Sequence, residues 1–333
     1  MLVYCLLPVL VLGFQTGDFP NLTGPYLGQK PPGMTPEIFA PGIISTEFHE
    51  HSFPSFSPDG NHVLFTRGFI SNYTYKFPIR ILSIKNDDRW SFPEFADFIS
   101  QEETSEAYFS PDGARIYYSV YDEVQNSPDG KKSFDIWYVE KNGQTWSAPI
   151  KLGKAINTEK NELQATVTKN LTLYYLGPFE KGKNNYGIYR SKFLDGKYAT
   201  SELLPDSINS GHTNWTPFIA PDESYLLFSS DRPGGYGSGD IFVSFRREND
   251  TWTDPINLGP PINSANNERY PYVSPDGKYL FYVSDKVSNA LLMEKGHTYR
   301  EYEQMYKSAG NGWSDVYWIE ARVIEELRTK EKK

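Results

Sequence analysis

Cysteine is nearly absent from this chain, which has Cys5 as its single thiol among 333 residues. One thiol forms no intrachain disulfide and no cysteine-based metal site. Cys5 lies within the apolar run Leu2–Leu12, which is much shorter than the roughly 20 residues of a membrane-spanning helix. We therefore expect a mature chain with neither disulfides nor a transmembrane segment.

Excess basic charge is missing as well. The chain has 33 Lys and Arg against 42 Asp and Glu, for a net charge of −9 and a pI near 5.2. Nucleic acids and anionic membranes bind basic surfaces. We therefore expect no nucleic-acid partner. We expect instead a monomer whose partner is a protein or a cell-envelope glycan.

The N-terminal run Leu2–Leu12 has the length of the apolar core of a secretory signal peptide, although no Lys or Arg precedes it. We expect residues 1–20 to be a signal peptide, cleaved between Gly13 and Asn21, and the mature protein to be periplasmic or extracellular. A buried N-terminal strand is the alternative. Residues 21–35, which contain Pro31-Pro32-Gly33, predict an extended linker.

Aromatic residues are abundant, with 24 Tyr and 21 Phe making up most of an aromatic content of 16%. Aromatic side chains suit the half-buried surface of a β-sheet. The turn sequence Ser-Pro-Asp-Gly, or a variant of it, recurs between short strand-like runs. Pro presets the backbone, Asp bonds to it and Gly accepts positive φ, so each copy predicts the tip of a β-hairpin.

The five copies start at Ser57, Ser110, Thr168, Ala220 and Ser274, so they are 52 to 58 residues apart. Four strand signals per unit at this period are typical of a β-propeller blade. An unpaired strand at Pro36–Gly42 precedes the units, and the last unit ends at Asp315–Ile319 without an outer strand. The sequence thus predicts an all-β, single five-bladed propeller over residues 36–320, closed by its N-terminal strand, with a helical and basic tail at 321–333.

Three features resemble the TolB-type propeller repeat, the Pro-Asp relative of the WD repeat. They are the Ser-Pro-Asp-Gly hairpins, the loop Ser229–Gly235 leading into Asp240-Ile241-Phe242, and the segment Trp252–Gly259. The resemblance covers nearly the whole mature chain and implies an exported bacterial propeller. Because this scaffold carries both binding proteins and enzymes, it implies no single function.

A second repeated element, seen in Ile156–Glu162 and Ile262–Glu268, joins one blade to the next. It ends with a polar residue just before the strand that lines the central channel, so these residues should form a ring at the channel mouth. The predicted ligand-binding residues are His49, Glu50, His51, Glu103, Glu162, His212, Asn214, Arg232 and Glu268.

Two interpretations of this ring remain open. It is either a ligand site or a set of caps that bond to the backbone of the blade-to-blade turns. As a ligand site it holds a sugar, an amine, or a divalent cation, Ca²⁺ or Zn²⁺, on Glu50, Glu162 and Glu268. We predict no other cofactor.

No catalytic motif occurs, so we favour a non-catalytic exported propeller that binds a protein or cell-envelope component on its channel-mouth face. The alternative is a carbohydrate-active enzyme, a glycoside hydrolase or lyase that uses carboxylates of the central channel. Within the insertion 285–314, Tyr299, Tyr302, Met305 and Tyr306 are spaced as on one face of a helix. That helix either packs on the fifth blade or serves as a lid or docking element.

Overall fold

The structure, a computed structural model, describes residues 19–50, 52–71, 74–99, 104–123, 132–181, 186–287 and 298–331. Their strands form five antiparallel sheets that are arranged in a ring, so the prediction of a five-bladed propeller is confirmed. No helix in these ranges is long and apolar enough to cross a bilayer. The predicted site residues His51 and Glu103 lie outside the described residues.

Each blade consists of antiparallel strands that follow one another from the central channel outward. Blade 1 comprises His49–Glu50, Ser55–Phe56, His62–Ser71, Thr74–Asn86, Arg89–Trp90 and Glu94–Phe95. Blade 2 comprises Thr104–Phe109, Arg115–Glu123, Lys132–Asn142, Thr145–Trp146 and Ile150–Lys151. Blade 3 comprises Leu163–Val167, Leu173–Pro178, Tyr186–Ser191 and Glu202–Leu203, beside a small hairpin of Phe193–Leu194 and Lys197–Tyr198. Blade 4 comprises Asn214–Ile219, Tyr225–Ser230, Asp240–Phe245 and Ile256–Asn257. Blade 5 comprises Glu268–Val273, Tyr279–Ser284, Asp315–Glu320 and the N-terminal strand Glu37–Ile38.

The Ser-Pro-Asp-Gly turns form the hairpins between the first and second strands. In blade 2, Ser110 Oγ accepts the amide of Arg115 at 2.9 Å and donates to Asp112, whose Oδ1 also accepts the amide of Ala114 at 3.0 Å. Blades 1 and 5 repeat these bonds. One residue of each turn has positive φ, and these residues are Gly60, Gly113, Leu171, Glu223 and Gly277.

The N-terminal strand closes the ring. Glu37–Ile38 pairs antiparallel with Asp315–Glu320, with Ile38 opposite Tyr317, and the amide of Phe39 donates to Val316 O at 2.8 Å. Phe39 is fully buried, and its ring centroid lies 5.0 Å from those of Phe281 and Trp318. The predicted closure of the last blade by this segment is therefore confirmed.

A second set of bonds fixes the crossovers after blades 2 to 5, each to the blade that it leaves. In blade 2, Asn157 Oδ1 accepts the amide of Ile136 and its Nδ2 donates to Ile136 O. Asn209 and Asn263 make the same pair of bonds in blades 3 and 4. At the closing strand Ser45 replaces the asparagine, and its Oγ bonds to the amide and carbonyl of Val316. The Ile-Asn part of the repeated element is thus a structural clamp.

Aromatic side chains fill the hairpin end of the channel. Phe53 stacks on Tyr272 with centroids 5.0 Å apart, and Phe218 meets the edges of both Tyr108 and Tyr272. The Tyr272 hydroxyl accepts the amide of Phe56 at 3.0 Å, which ties blade 5 to blade 1. A cavity of about 90 Å³ remains between these rings and the hairpin turns.

Three segments lie outside the blades. Residues 21–35 contain the short 3-10 helix Tyr26–Gly28, and the Tyr26 hydroxyl donates to Asp276 at 2.7 Å. The helix Arg322–Glu331 packs on blade 4 through Arg328, whose guanidinium lies 4.7 Å from the Phe245 ring centroid. The helix Tyr299–Tyr306 belongs to the insertion between the second and third strands of blade 5.

Candidate functional site at the channel mouth

We call the face on which the crossovers and the second-to-third strand loops emerge the channel-mouth face. Near it, one residue in each of blades 2 to 5 interrupts the innermost strand. Gln164, Thr216 and Tyr270 have φ of 58°, 52° and 56°, and the pairing of blade 2 shifts register at Glu106. Such bulges redirect a side chain out of the regular pleat, and positive φ in a non-glycine residue stores about 1–3 kcal/mol of strain.

These four residues are connected around the channel by hydrogen bonds. Gln164 Nε2 donates to Glu106 Oε1 at 3.2 Å, and Gln164 Oε1 accepts the amide of Thr216 at 2.7 Å. Thr216 Oγ1 in turn accepts the amide of Tyr270 at 3.1 Å. We call Glu106, Gln164, Thr216 and Tyr270 the belt. The belt joins blades 2 to 5 and places the carboxyl group of Glu106 on the channel wall. No residue type is repeated at this position in the sequence, so the belt was not predicted.

Glu162 and Glu268, two of the predicted ring carboxylates, are almost completely buried. Glu162 accepts the amide of Thr158 at 2.8 Å and its hydroxyl at 2.6 Å. Glu268 accepts the amide and hydroxyl of Ser264 and the hydroxyl of Ser284. Each carboxylate therefore binds the crossover immediately before it, as the capping interpretation expects.

Among the described carboxylates of the ring, Glu50 has the least complete set of hydrogen bonds. Its Oε1 accepts the hydroxyl of Thr46 at 2.8 Å and lies 3.8 Å from Arg67 Nε, while the buried Oε2 has no hydrogen-bond partner among the described residues. Burial, reinforced by the charge of nearby Asp315, raises the pKa of Glu50 to about 8. Burial likewise raises the pKa of Asp315 to about 7.

An acidic pair of this kind recurs at two other blade junctions. Burial raises the pKa of Glu162 to about 7 and also raises that of Glu268, with Asp135 and Asp240 respectively adding a like charge. Asp135 is bound by Lys151 Nζ at 2.8 Å, and Asp240 accepts the amides of Tyr236 and Gly237. Each pair joins a crossover carboxyl to an aspartate at or near the start of a third strand.

The junction of blades 3 and 4 has a buried cation in place of this acidic pair. Asn214 stands at the ring position, and its Oδ1 accepts Arg232 Nη2 at 3.1 Å. Arg232 also donates to the carbonyls of Ser207 and Ile208, and its guanidinium lies 4.8 Å from the Phe228 ring centroid. Burial lowers the pKa of Arg232 to about 10. Arg232 is therefore fully engaged in holding the crossover.

The remaining predicted residues are spread around the mouth. His49 is buried with its ring 6.3 Å from that of Trp313, whereas His212 is partly exposed and lies 3.9 Å from Asp231. Thr104 follows the predicted ring residue of blade 2, Glu103. It pairs with Val120 as Glu268 pairs with Ser284 in blade 5, so Thr104 occupies the strand position that Glu268 has in blade 5. Within the described ranges, no group of three or more His, Cys, Asp or Glu is arranged to hold a metal ion.

The capping and metal-binding interpretations predict different melting behaviour. We expect Glu162→Gln combined with Glu268→Gln to lower the free energy of unfolding by about 1–3 kcal/mol, because an amide nitrogen then faces backbone and hydroxyl donors. We expect the same loss with or without Ca²⁺, Mg²⁺ or Zn²⁺ in differential scanning calorimetry. A metal-dependent rise of the wild-type melting temperature that the double variant lacks would instead support the metal site.

Large aromatic side chains are exposed on the channel-mouth face. Tyr299 is 81% exposed, and the helix Tyr299–Tyr306 that carries it has no buried residue. A capping box of Thr298 and Glu301 nevertheless fixes its first turn. Exposed aromatic residues at this face are Phe48, Tyr236, Tyr299, Tyr302, Tyr306 and Trp313. The helix is therefore presented to solvent and not packed flat on blade 5.

The loop after this helix connects it to the seam between blades 5 and 1. Asn311 Nδ2 donates to the carbonyls of Glu47 and Tyr306, and Trp313 contacts His49. The helix, Trp313 and the Phe48 crossover thus form one continuous surface. We call Tyr299, Tyr302, Tyr306 and Trp313 the aromatic row.

No family model matches this chain, and no curated protein matches it. Solved structures similar to this chain include a protein described as a glycoside hydrolase, with 13% identity, a TM-score of 0.48, and coverage of 88% of this chain and 93% of that one. An alpha-L-arabinofuranosidase from Lactobacillus brevis has 13% identity, a TM-score of 0.43, and coverage of 83% and 91%. The β-propeller domain of the Trilobed protease from Pyrococcus furiosus has 15% identity, a TM-score of 0.36, and coverage of 74% and 67%. Similarities of this size assign neither a family nor an activity.

Proposed function

We propose that this protein binds a cell-envelope glycan chain on its channel-mouth face without cleaving it. The aromatic row is the observation that carries this proposal. Exposed aromatic surface on one face of a folded protein marks an interaction site. Tyr and Trp suit such sites because each offers a flat apolar ring together with a polar group.

The spacing of the aromatic row favours a repeating ligand. Tyr299, Tyr302 and Tyr306 lie on one stripe of the helix because residues three and four apart are neighbours on a helix surface. With a rise of about 1.5 Å per residue, they are offset by about 4.5 and 6 Å along the axis. These offsets are similar to the length of one sugar unit in a chain. Consecutive sugars can therefore meet consecutive tyrosine rings.

Glycoside cleavage is the second candidate function, and Glu106 of the belt is the observation that supports it. Glu106, bonded to Gln164 on the channel wall, is a carboxyl group of the kind that such an enzyme uses. A glycosidase needs a second carboxyl group at a defined distance on the same substrate. Glu50, Glu162 and Glu268 are buried within the crossovers, so the described residues favour binding over cleavage.

Co-sedimentation with insoluble glycans tests the proposal. We expect the wild type to bind one or more of peptidoglycan, chitin and cellulose. The triple variant Tyr299→Ala, Tyr302→Ala and Tyr306→Ala should bind at least about tenfold more weakly, since each ring contributes an aromatic contact. Because these side chains are exposed, the variant should fold normally.

The matched control is Leu194→Ala combined with Leu203→Ala, two exposed apolar residues on blade 3. It should bind as the wild type does. Equal binding of the triple variant, or a wild type that binds no glycan, would contradict the proposal. New reducing ends that appear with time and are lost in Glu106→Gln would favour cleavage instead.

The hairpin repeat supports a further proposal, that the chain is a TolB-type propeller. We also propose that the protein is exported. The observation behind export is the apolar run Leu2–Leu12. Phe19 packs on Phe92 with centroids 5.4 Å apart, so we expect processing before Phe19. Mass spectrometry of the fractionated protein checks this, and a full-length chain confined to the cytoplasm would contradict it.

A further inference from the structure

A cavity of about 680 Å³ lies on the face of blade 1 that is turned toward the closing strand. Its volume is within the range of about 300–1,000 Å³ that is typical of small-molecule sites. The side chains that define it are Ile43, Phe65, Arg67, Ile81, Phe92 and Phe95. It is thus an apolar cavity with an arginine in its wall.

Strand register explains why the wall is apolar. Phe65 lies opposite Ile81, and Ile81 lies opposite Phe95, so three neighbouring strands place their side chains on one face. Arg67 follows Phe65 by two residues and therefore shares that face. Phe95 is 63% exposed at the rim of the cavity.

Arg67 supplies the positive charge in the cavity wall, and its guanidinium makes an incomplete set of hydrogen bonds. Its Nη2 donates to Ile43 O at 2.8 Å, whereas its buried Nε has no hydrogen-bond partner within the described part of the chain. The nearest carboxylate oxygen, Glu50 Oε1, lies 3.8 Å away, beyond hydrogen-bond distance. Arg67 lines the cavity and its side chain is 27% exposed, so its guanidinium can bind an additional anionic acceptor.

We propose that this cavity binds a medium-chain fatty acid, with the carboxylate at Arg67 and the hydrocarbon tail against Phe65, Ile81 and Phe92. A ligand with one polar end matches this wall, because its side chains are apolar apart from Arg67 and the exposed Glu94. A peptide in the same place would leave buried amides unpaired, which is costly. The carboxylate instead completes the hydrogen bonds of Arg67.

Isothermal titration calorimetry on the full chain tests this proposal. We expect dodecanoate to bind the wild type at least about tenfold more tightly than its methyl ester does, since a charge-assisted hydrogen bond distinguishes them. This comparison requires no substitution. Equal affinities, or no dodecanoate binding, would overturn the proposal.

Two variants locate the bound molecule. Ile81→Trp fills the cavity, and Phe95→Asp places a negative charge at its exposed rim; each should weaken dodecanoate binding at least about tenfold. Leu194→Ala serves as the control, because Leu194 is exposed on blade 3. Tight binding that both variants retain would place the fatty acid elsewhere and overturn the assignment. If Ile81→Trp does not fold, Phe95→Asp alone decides.

Discussion

Phe39→Ala is expected to lower the free energy of unfolding by about 3–5 kcal/mol, the usual cost of removing a buried phenylalanine ring. Phe39 is fully buried and packs against Phe281 and Trp318 of blade 5 and Phe56 of blade 1. Its loss therefore weakens the blade that the N-terminal strand completes and the seam beside it. Urea unfolding followed by tryptophan fluorescence measures this change.

The matched control is Phe95→Ala, which removes the same ring from a side chain that is 63% exposed. We expect it to change stability by less than about 0.5 kcal/mol, as surface substitutions usually do. If Phe39→Ala were no more destabilising than Phe95→Ala, the N-terminal strand would not hold the ring closed.

Stability should fall as the pH rises from about 4.5 to about 8. Glu50 has an ordinary pKa of 4.5 in the unfolded chain and a pKa of about 8 in the folded protein. Between these values the folded state retains a proton that the unfolded chain has released, so raising the pH favours unfolding. The loss from Glu50 alone is on the order of 3–5 kcal/mol.

Glu50→Gln isolates this contribution. Asp315 and Glu162 have pKa values of about 7, so the fall above pH 7 should come mainly from Glu50. Unfolding in urea at pH 7 and pH 8 should show a loss that is smaller by about 1 kcal/mol in Glu50→Gln than in the wild type. Glu47→Gln, an exposed change on the same crossover, should behave as the wild type. A variant that keeps the full slope would show that another group is responsible.

The fold could be predicted from sequence because its signals are local and repeated. Ser-Pro-Asp-Gly specifies its own turn through short-range bonds, such as those of Ser110 and Asp112, and it does so in several blades. The closing strand could be placed because Pro36–Gly42 has no partner nearby in the sequence. The first inference depends on the turn residues alone, and the second requires only that every strand be paired.

The channel mouth was less predictable because it depends on contacts between blades. Repetition of Glu162 and Glu268 indicated a shared role, but only the structure shows their carboxylates bonded to Thr158 and Ser264. The belt joins four different residue types, so no repeated pattern reveals it. Glu106 in particular gains its position from a register shift in its strand. Exposure of the aromatic row likewise depends on how the insertion leaves the blade.

Binding by the aromatic row is tested most directly at Tyr302, the middle tyrosine of the helix. Tyr302→Phe keeps the ring and Tyr302→Ala removes it, and both changes are made at a side chain that is 52% exposed. Titration calorimetry uses a soluble oligosaccharide of the glycan that co-sediments. We predict that Phe retains affinity within about threefold and that Ala loses at least about tenfold. Wild-type affinity in Tyr302→Ala would contradict glycan binding by this row.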